Sequence, residues 1–420
     1  MTTEHAADGS ALWHGRRWAR RHKMVVLCFV AVLVCYLDRV SISVAVVPLQ
    51  AEFGWSATRT GAVLSVFFLG YLLCQIPAGW AARRYGARLL LGISLLLWSL
   101  FTLATPLAAG FSFAALIGVR LLMGMGEATM FPGAYALFAS WLPATERSRA
   151  VGLLFSAIPL GTLLALVSSG WIAAHFGWPW IFYAFGLLGL LFAAVWSREV
   201  EDGPGINRDD GAAGGSPLPI PWQRLLVQPP VWALIVNSFC TSWTIYVLLS
   251  WTPLYLREQH GVSLANAGFL SAAPWLVMFV MMNVAAWSAD SMINRGVNVT
   301  RVRKLMQAGG LSGAAVFLLM IPCAGSMVEA TLLLCGALGA NAFTTAGFAP
   351  NHLDLAPDHA PVLIGITNTA GTLPGVIGVF ITGWLVDTTG GYDAAFIIAA
   401  LISILGSAVW LRYATAERIL

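Results

Sequence analysis

Charged residues are scarce in this sequence. Asp, Glu, Lys and Arg make up 10% of the 420 residues, whereas 58% are hydrophobic; a soluble globular protein has about 25% charged residues. So few charges cannot cover the surface of a soluble protein of this length. The apolar residues occur in blocks of about 20, which is the length of a helix that crosses the hydrocarbon core of a bilayer.

Several functional signatures are also lacking. No nucleotide-binding motif, Ser/His/Asp arrangement or metal-ligand spacing stands out; five of the six cysteines fall within apolar blocks, and Cys323 directly follows one. No basic arm with interleaved aromatic residues points to nucleic acid. We therefore expect a protein that is not an enzyme and has no metal, no resident cofactor and no nucleic-acid partner. If it transports a solute, an ion gradient must supply the energy.

The apolar blocks predict an all-α membrane protein with twelve transmembrane helices in two six-helix halves. The predicted spans are 24–47, 60–81, 87–108, 111–139, 147–174, 178–198, 229–256, 264–288, 303–322, 327–349, 361–386 and 391–413. The predicted domains are an N-tail at 1–23, bundles at 24–198 and 229–413, a linker at 199–228 rich in Gly, Pro and charge, and a C-tail at 414–420. Two such halves are typical of a transporter with a binding site near the midplane.

The distribution of Lys and Arg predicts the orientation. With the N-terminus in the cytoplasm, the predicted cytoplasmic segments hold all of the 23 basic residues except Arg39, Arg59, Arg120 and Arg257. Basic residues are enriched in cytoplasmic loops. We therefore expect both termini in the cytoplasm.

Four ionisable side chains nevertheless lie in the middle of predicted spans, all in the first half: Asp38, Arg39, Arg120 and Glu127. Such a charge costs at least about 2.5 kcal/mol on insertion scales and usually marks a substrate or ion pathway. Arg120 and Glu127 share a helix face, and Gly124 between them is expected to leave open space. The adjacent Asp38 and Arg39 point to different targets. A static salt-bridge cluster that only fixes helix packing is the alternative.

Specific stretches resemble the major facilitator superfamily. "GWAARRYGARLL" at 79–90 is similar to its loop motif, except that Arg83 replaces the usual Asp, and Asp290 occupies the corresponding place in the second half. "LDRVSISVAVVPLQAEFGWS", "FFLGYLLCQIPAG" and "NHLDLAP" resemble the anion:cation symporter branch, which includes sialin, vesicular glutamate transporters, plastid anion transporters and bacterial sugar-acid symporters.

The resemblance implies roles for individual residues. Arg39 would contribute to anion recognition, Glu127 would carry the coupling proton, Asp38 would be a second protonation site and Tyr71 would line the cavity. Arg120 also matches a family position and is interpreted, with Asp290, as a charge partner or gating residue. These roles suit the chemistry, because Arg offers a planar fork to a carboxylate and burial disfavours the charged form of a carboxyl.

The second half offers neutral polar side chains instead of charges. They recur at helical spacing on the seventh, tenth and eleventh spans: Asn237, Thr241, Thr244, Asn341, Thr344, Thr345, Asn368 and Thr372. Such groups suit a polyol, although they also commonly join helices. We predict Thr241, Asn368 and Thr372 as substrate-binding residues. In vesicular glutamate carriers a second Arg aligns with Thr241, so a single cationic clamp and a preference for hydroxylated monocarboxylates are expected here.

The predicted function is proton-coupled uptake of a small organic anion, such as a sugar acid, by a monomer in a bacterial inner membrane. One alternative is a proton-coupled exporter of drugs or metabolites, although the fifth span, "AIPLGTLLALVSSG", lacks the Gly-Pro-x-x-Gly-Gly signature common in exporters. Another is a sodium/phosphate or dicarboxylate transporter of the same branch.

Overall fold

The computed structural model describes residues 11–201, 203, 222–356 and 359–419. Its helices are α1 (Ala11–Phe53), α2 (Ala57–Tyr85), α3 (Ala87–Phe111), α4 (Phe113–Glu127), α5 (Met130–Trp141), α6 (Ala144–Phe176), α7 (Pro179–Glu199), α8 (Trp222–Val227), α9 (Pro229–His260), α10 (Leu264–Asn294), α11 (Val299–Met320), α12 (Met327–Asn341), α13 (Thr344–Leu355), α14 (Ala360–Thr389) and α15 (Asp393–Tyr413).

Among these described residues, twelve helical stretches are long and apolar enough to cross a membrane. They coincide with the twelve predicted blocks, so the predicted all-α fold of twelve spans in two halves is confirmed. Much of the predicted linker at 199–228 and the first ten residues of the predicted N-tail lie outside the described residues. The domain boundaries therefore stay predictions.

The fourth and tenth spans are each interrupted, which the continuous apolar blocks did not predict. In both, a helix of 15 residues and a helix of 12 residues are separated by two residues, 128–129 in one and 342–343 in the other. Both begin after a serine, Ser112 or Ser326, whose hydroxyl accepts a hydrogen bond from an N–H of the first turn. The two halves therefore repeat the same design.

A second repeated feature anchors the outer helices of each half. The Trp196 indole on α7 donates to the Arg88 carbonyl at the start of α3, at 3.1 Å. The Trp410 indole on α15 donates to the Arg303 carbonyl near the start of α11, also at 3.1 Å. Both indoles are fully buried, as is that of Trp98 on α3.

The two halves meet mainly through α2 and α14, α6 and α10, and α1 and α9. Asp387 near the end of α14 accepts hydrogen bonds from the backbone N–H groups of Ala57 (2.9 Å) and Thr58 (2.7 Å), which begin α2. Gly170 and Gly268 bring α6 and α10 together, since a Cβ on Gly170 would lie 3.0 Å from the Gly268 Cα. We call this the joined end of the bundle.

The opposite end is arranged differently. There α5 packs against α1, α2, α3 and α6, all from its own half, and α13 packs against α9, α10, α11 and α14 from its own half. We call this the open end. Within the described residues, the Asp387 and Gly170 contacts between the halves thus lie at the joined end, and alternating access commonly proceeds by rocking of one half against the other.

Candidate functional site

Arg39 and Glu127 form a buried ion pair between α1 and α4. The Arg39 Nε and Nη2 atoms each lie 3.0 Å from Glu127 Oε2, and the Cys35 thiol donates to the same oxygen at 3.0 Å. Glu127 is fully buried and is the last residue of α4, immediately before the interruption. Within the described part of the chain, its second oxygen, Oε1, has no hydrogen-bond partner.

An aromatic cage surrounds the Arg39 guanidinium. Its carbon lies 4.7 Å from the ring centre of Tyr36 and 5.0 Å from the ring centres of Phe67 and Tyr71. Arg39 Nη1 also donates to the Tyr36 hydroxyl at 3.4 Å. From the other half, Tyr246 on α9 is close enough to interact electrostatically with Arg39. Each cation–π contact contributes about 0.5–2 kcal/mol.

The cage explains how the charged Arg39 side chain is held in an apolar interior. Only one of its members was identified from the sequence. Tyr71 was the one predicted member. Tyr36 is one helical turn before Arg39 and Phe67 is one turn before Tyr71, so both were within reach of a helix-face argument. Tyr246 lies in the other half, and its distance from Arg39 could not be read from the sequence.

Asp38 and Arg120 do not form an ion pair. Among the described residues neither carboxylate oxygen of Asp38 has a hydrogen-bond partner, and Arg120 Nε has none. Arg120 Nη1 contacts the Met123 sulfur at 3.2 Å, and its guanidinium carbon lies 5.2 Å from the Phe67 ring centre. Although Arg120 and Glu127 share a helix face, Arg39 is the residue that pairs with Glu127.

Gly124 has a different role from the expected one. A Cβ at this position would lie 2.0 Å from the Phe67 carbonyl oxygen, and one at Gly70 would lie 2.1 Å from the Leu121 carbonyl oxygen. The expectation of open space above Gly124 is therefore wrong. The two glycines let the α2 and α4 backbones touch, which holds the cage residues of α2 against the helix that carries Arg120 and Glu127.

A small cavity lies between the two halves at the level of the cage. Its walls include Arg39, Arg120, Ser43, Phe68 and Ser250, and its free volume is about 10 Å³, which is room for about one water molecule. Two arginines thus line one small cavity that must widen before it can hold an organic anion.

Thr241 is not among the residues that line this cavity. Its hydroxyl accepts a hydrogen bond from Gln307 Nε2 on α11 at 3.1 Å. The same nitrogen donates to Asn237 Oδ1 at 3.1 Å, and Asn341 Nδ2 reaches the Thr241 carbonyl at 3.5 Å. This amide cluster is internal to the second half. Gln307 was missed because it sits alone in an apolar stretch.

The other predicted residues are dispersed. Asn368 on α14 is exposed, and its carbonyl accepts a hydrogen bond from the buried Thr372 hydroxyl at 2.9 Å. Asp290 is exposed near the end of α10 and makes no ion pair with any described residue. At that end of the second half the ion pair is instead Arg303–Asp354, at 2.8 Å. The side chain of Arg83 lies outside the described residues.

Comparisons with known proteins agree with this architecture. The family profile described as Major Facilitator Superfamily matches residues 28–379. The chain is 38% identical over 424 residues to the chloroplastic ascorbate transporter of Arabidopsis thaliana, covering 98% of this chain and 78% of that one. It is 37% identical over 416 residues to the chloroplastic sodium-dependent phosphate transport protein 1 of the same plant, covering 96% and 80%.

A solved structure shares the fold. A bacterial homologue of the human lysosomal transporter Spinster superposes with a TM-score of 0.78 at 17% sequence identity, covering 94% of this chain and 97% of that one. At this identity the similarity concerns the fold.

Proposed function

The chain belongs to the Major Facilitator Superfamily and is therefore a membrane transporter, and on that premise we propose that it carries a small organic anion by proton-coupled symport. The observation that carries the proposal is the Arg39–Glu127 ion pair beside the cavity between the halves. An arginine in the middle of a membrane is kept for an anionic partner. The relatives that were compared are named for ascorbate and phosphate, which are both anions.

The ion pair suggests how anion and proton are coupled. The Nε and Nη2 atoms of Arg39 both lie next to one oxygen of Glu127. The substrate and Glu127 therefore compete for the same guanidinium. When Glu127 takes up a proton, Arg39 is released to bind the carboxylate of the substrate in its planar fork. When the proton leaves, Glu127 pairs with Arg39 again and the anion is expelled.

The proposed direction is uptake. Following the Lys and Arg distribution, we place both termini in the cytoplasm, so that the joined end faces outside and the open end faces the cytoplasm. A proton and an anion would then bind from outside and leave inside. The relatives compared are both named as chloroplastic, and they do not support the bacterial inner membrane that the short tails suggested.

Uptake into proteoliposomes tests the proposal. We expect labelled gluconate, glucuronate or ascorbate to accumulate when the outside is more acidic than the inside. The accumulation should be the same in sodium buffer and in potassium buffer. Accumulation driven by a sodium gradient at equal pH would replace the proton with sodium as the coupling ion. Efflux of the solute against its gradient under the same acidic outside would favour the exporter.

Arg120 gives a specific reason to keep doubly charged anions as a second candidate. It lines the same cavity as Arg39 and pairs with no carboxylate within the described residues. A second carboxylate or a phosphate would therefore have a cationic partner, whereas a single clamp would leave it desolvated and unpaired. Thr241 is not part of this proposed site, because its hydroxyl is bound to Gln307.

Competition separates the two substrate classes. If Arg39 acts alone, gluconate should inhibit uptake more strongly than succinate or glutamate. If both arginines bind substrate, succinate or phosphate should be the stronger inhibitor, and Arg120→Gln should weaken inhibition by those dianions more than inhibition by gluconate.

A further inference from the structure

A group of buried polar atoms lies around Asp38. Within the described residues, five atoms there lack hydrogen-bond partners: Asp38 Oδ1 and Oδ2, Trp98 Nε1, Ser99 Oγ and Arg120 Nε. Asp38, Trp98 and Ser99 are fully buried, and Arg120 is 1% exposed. Unpartnered buried polar groups are rare in native proteins and call for a specific explanation.

These atoms are close to one another. Trp98 and Arg120 both lie near enough to Asp38 to interact with its carboxylate. On the neighbouring helix α7, a Cβ at Gly189 would lie 2.1 Å from Ser99 Oγ and 3.7 Å from Asp38 Oδ2. The glycine therefore keeps a side chain out of the space that Ser99 and Asp38 share.

The group contains unpaired donors next to an unpaired acceptor. An ionised carboxylate in this apolar interior is strongly disfavoured unless donors reach it. A protonated carboxyl loses less without such donors, and the Trp98 indole lies close to Asp38 without a hydrogen bond of good geometry, which suits that state. We infer that Trp98 and Ser99 are positioning residues that close onto Asp38 and hold its carboxylate once it has released a proton. This inference rests on the proposed proton coupling.

The charged and titratable groups that face Asp38 are few. From its own helix this group is Cys35, and from α4 the groups are Arg120 and Glu127. The α3 residues of the group, Trp98 and Ser99, are uncharged, and α7 contributes Gly189. The two α3 donors can therefore favour the carboxylate without adding a second permanent positive charge to that of Arg120.

Two variants remove one donor each. Ser99→Ala deletes a single oxygen, and Trp98→Phe deletes the indole N–H but keeps an aromatic ring. Without a donor the carboxylate is disfavoured, so Asp38 should hold its proton to a higher pH. A hydrogen bond to a charged group corresponds to about one pH unit. We expect the internal pH for half-maximal accumulation in proteoliposomes to rise by about one unit.

Further readouts separate positioning from a general loss of structure. The substrate KM and the rate of exchange of internal for external substrate should change less than about twofold, since Arg39 is untouched. Ser169→Ala is the matched control, because the Ser169 hydroxyl on α6 is also fully buried and unpartnered within the described residues. Its pH profile should match the wild type.

The outcomes are distinguishable. A Ser99→Ala protein that transports with an unshifted pH profile overturns the inference, and so does an equal shift in Ser169→Ala. Ser99→Ala carries the test alone if Trp98→Phe does not fold. If the wild type shows no accumulation in a pH gradient, the proposed coupling fails and the inference falls with it.

Discussion

The two halves of the molecule share one scaffold and differ in chemistry. Glu127 ends α4 before the interruption of the fourth span, and Asn341 ends α12 before the matching interruption of the tenth. Gly54 follows α1 and Gly261 follows α9, each with a positive φ of 63°. Arg39 precedes Gly54 by the same number of residues as Tyr246 precedes Gly261, so the two side chains occupy matching positions. A carboxylate and a guanidinium in the first half thus correspond to an amide and a phenol in the second.

The two halves therefore share the geometry of their helices but not their buried charges. Repeated interruptions, caps and tryptophan anchors occur in both halves, so they serve the architecture. The buried charges occur in the first half, where the ion pair, Asp38 and Arg120 lie. We therefore expect changes in the first half to alter binding and coupling, and matched changes in the second half to alter mainly stability.

The largest expected effect comes from Arg39. Arg39→Ala should abolish transport while the protein still inserts, and Arg39→Lys should raise the apparent KM strongly, because a lysine keeps the charge but loses the bidentate fork. Tyr246→Phe, at the matched position, should keep transport within a fewfold of the wild type. Initial uptake rates in proteoliposomes measure this, and near-normal uptake by Arg39→Ala would remove Arg39 from the site.

The next effect concerns coupling at Glu127. Glu127→Gln resembles the protonated state permanently, so it should lose accumulation driven by a pH gradient and retain exchange of internal for external substrate. The matched Asn341→Ala should still accumulate substrate. Counterflow and gradient-driven uptake, measured on the same vesicles, distinguish these results. A Glu127→Gln protein that concentrates substrate would transfer the coupling role to Asp38.

A third prediction tests packing within the first half. Gly124→Ala places a methyl group against the Phe67 carbonyl oxygen, so it should lower the free energy of unfolding by about 1–3 kcal/mol and impair transport. Gly118→Ala is the control on the same helix, because no atom lies within 4 Å of a Cβ there. Thermal unfolding in detergent should separate the two variants, and equal melting temperatures would contradict the close helix contact.

The smallest expected effect lies where the halves meet. Asp387→Asn weakens the cap on the first turn of α2, where a negative charge is favourable. It should increase the fraction of molecules in which the joined end is open. The labelling rate of Ser250→Cys by an impermeant reagent added from that side should increase. Asp393→Asn is the control, since Asp393 lies in the first turn of α15. Unchanged labelling in Asp387→Asn would show that this cap does not hold the joined end.

The sequence predicted the spans well, because apolar length and basic loops are set by the bilayer and are local properties of the chain. It also located the buried charges, since Asp38 or Glu127 stands out in an apolar block. It did not predict which charges pair, because the choice of Arg39 over Arg120 as the partner of Glu127 depends on how α1 packs against α4 in three dimensions. The role of Gly124 was misread for the same reason: a glycine leaves space only where no neighbouring backbone fills it.

The interruption after Glu127 divides the fourth span into two helices joined by residues 128–129. The first helix, α4, is held against α2 by the backbone contacts at Gly70 and Gly124, so Glu127 keeps a fixed position relative to Phe67 and Tyr71. The second helix, α5, runs to the open end. Bending at residues 128–129 would therefore move α5 at the open end without separating Glu127 from the α2 side of the cage.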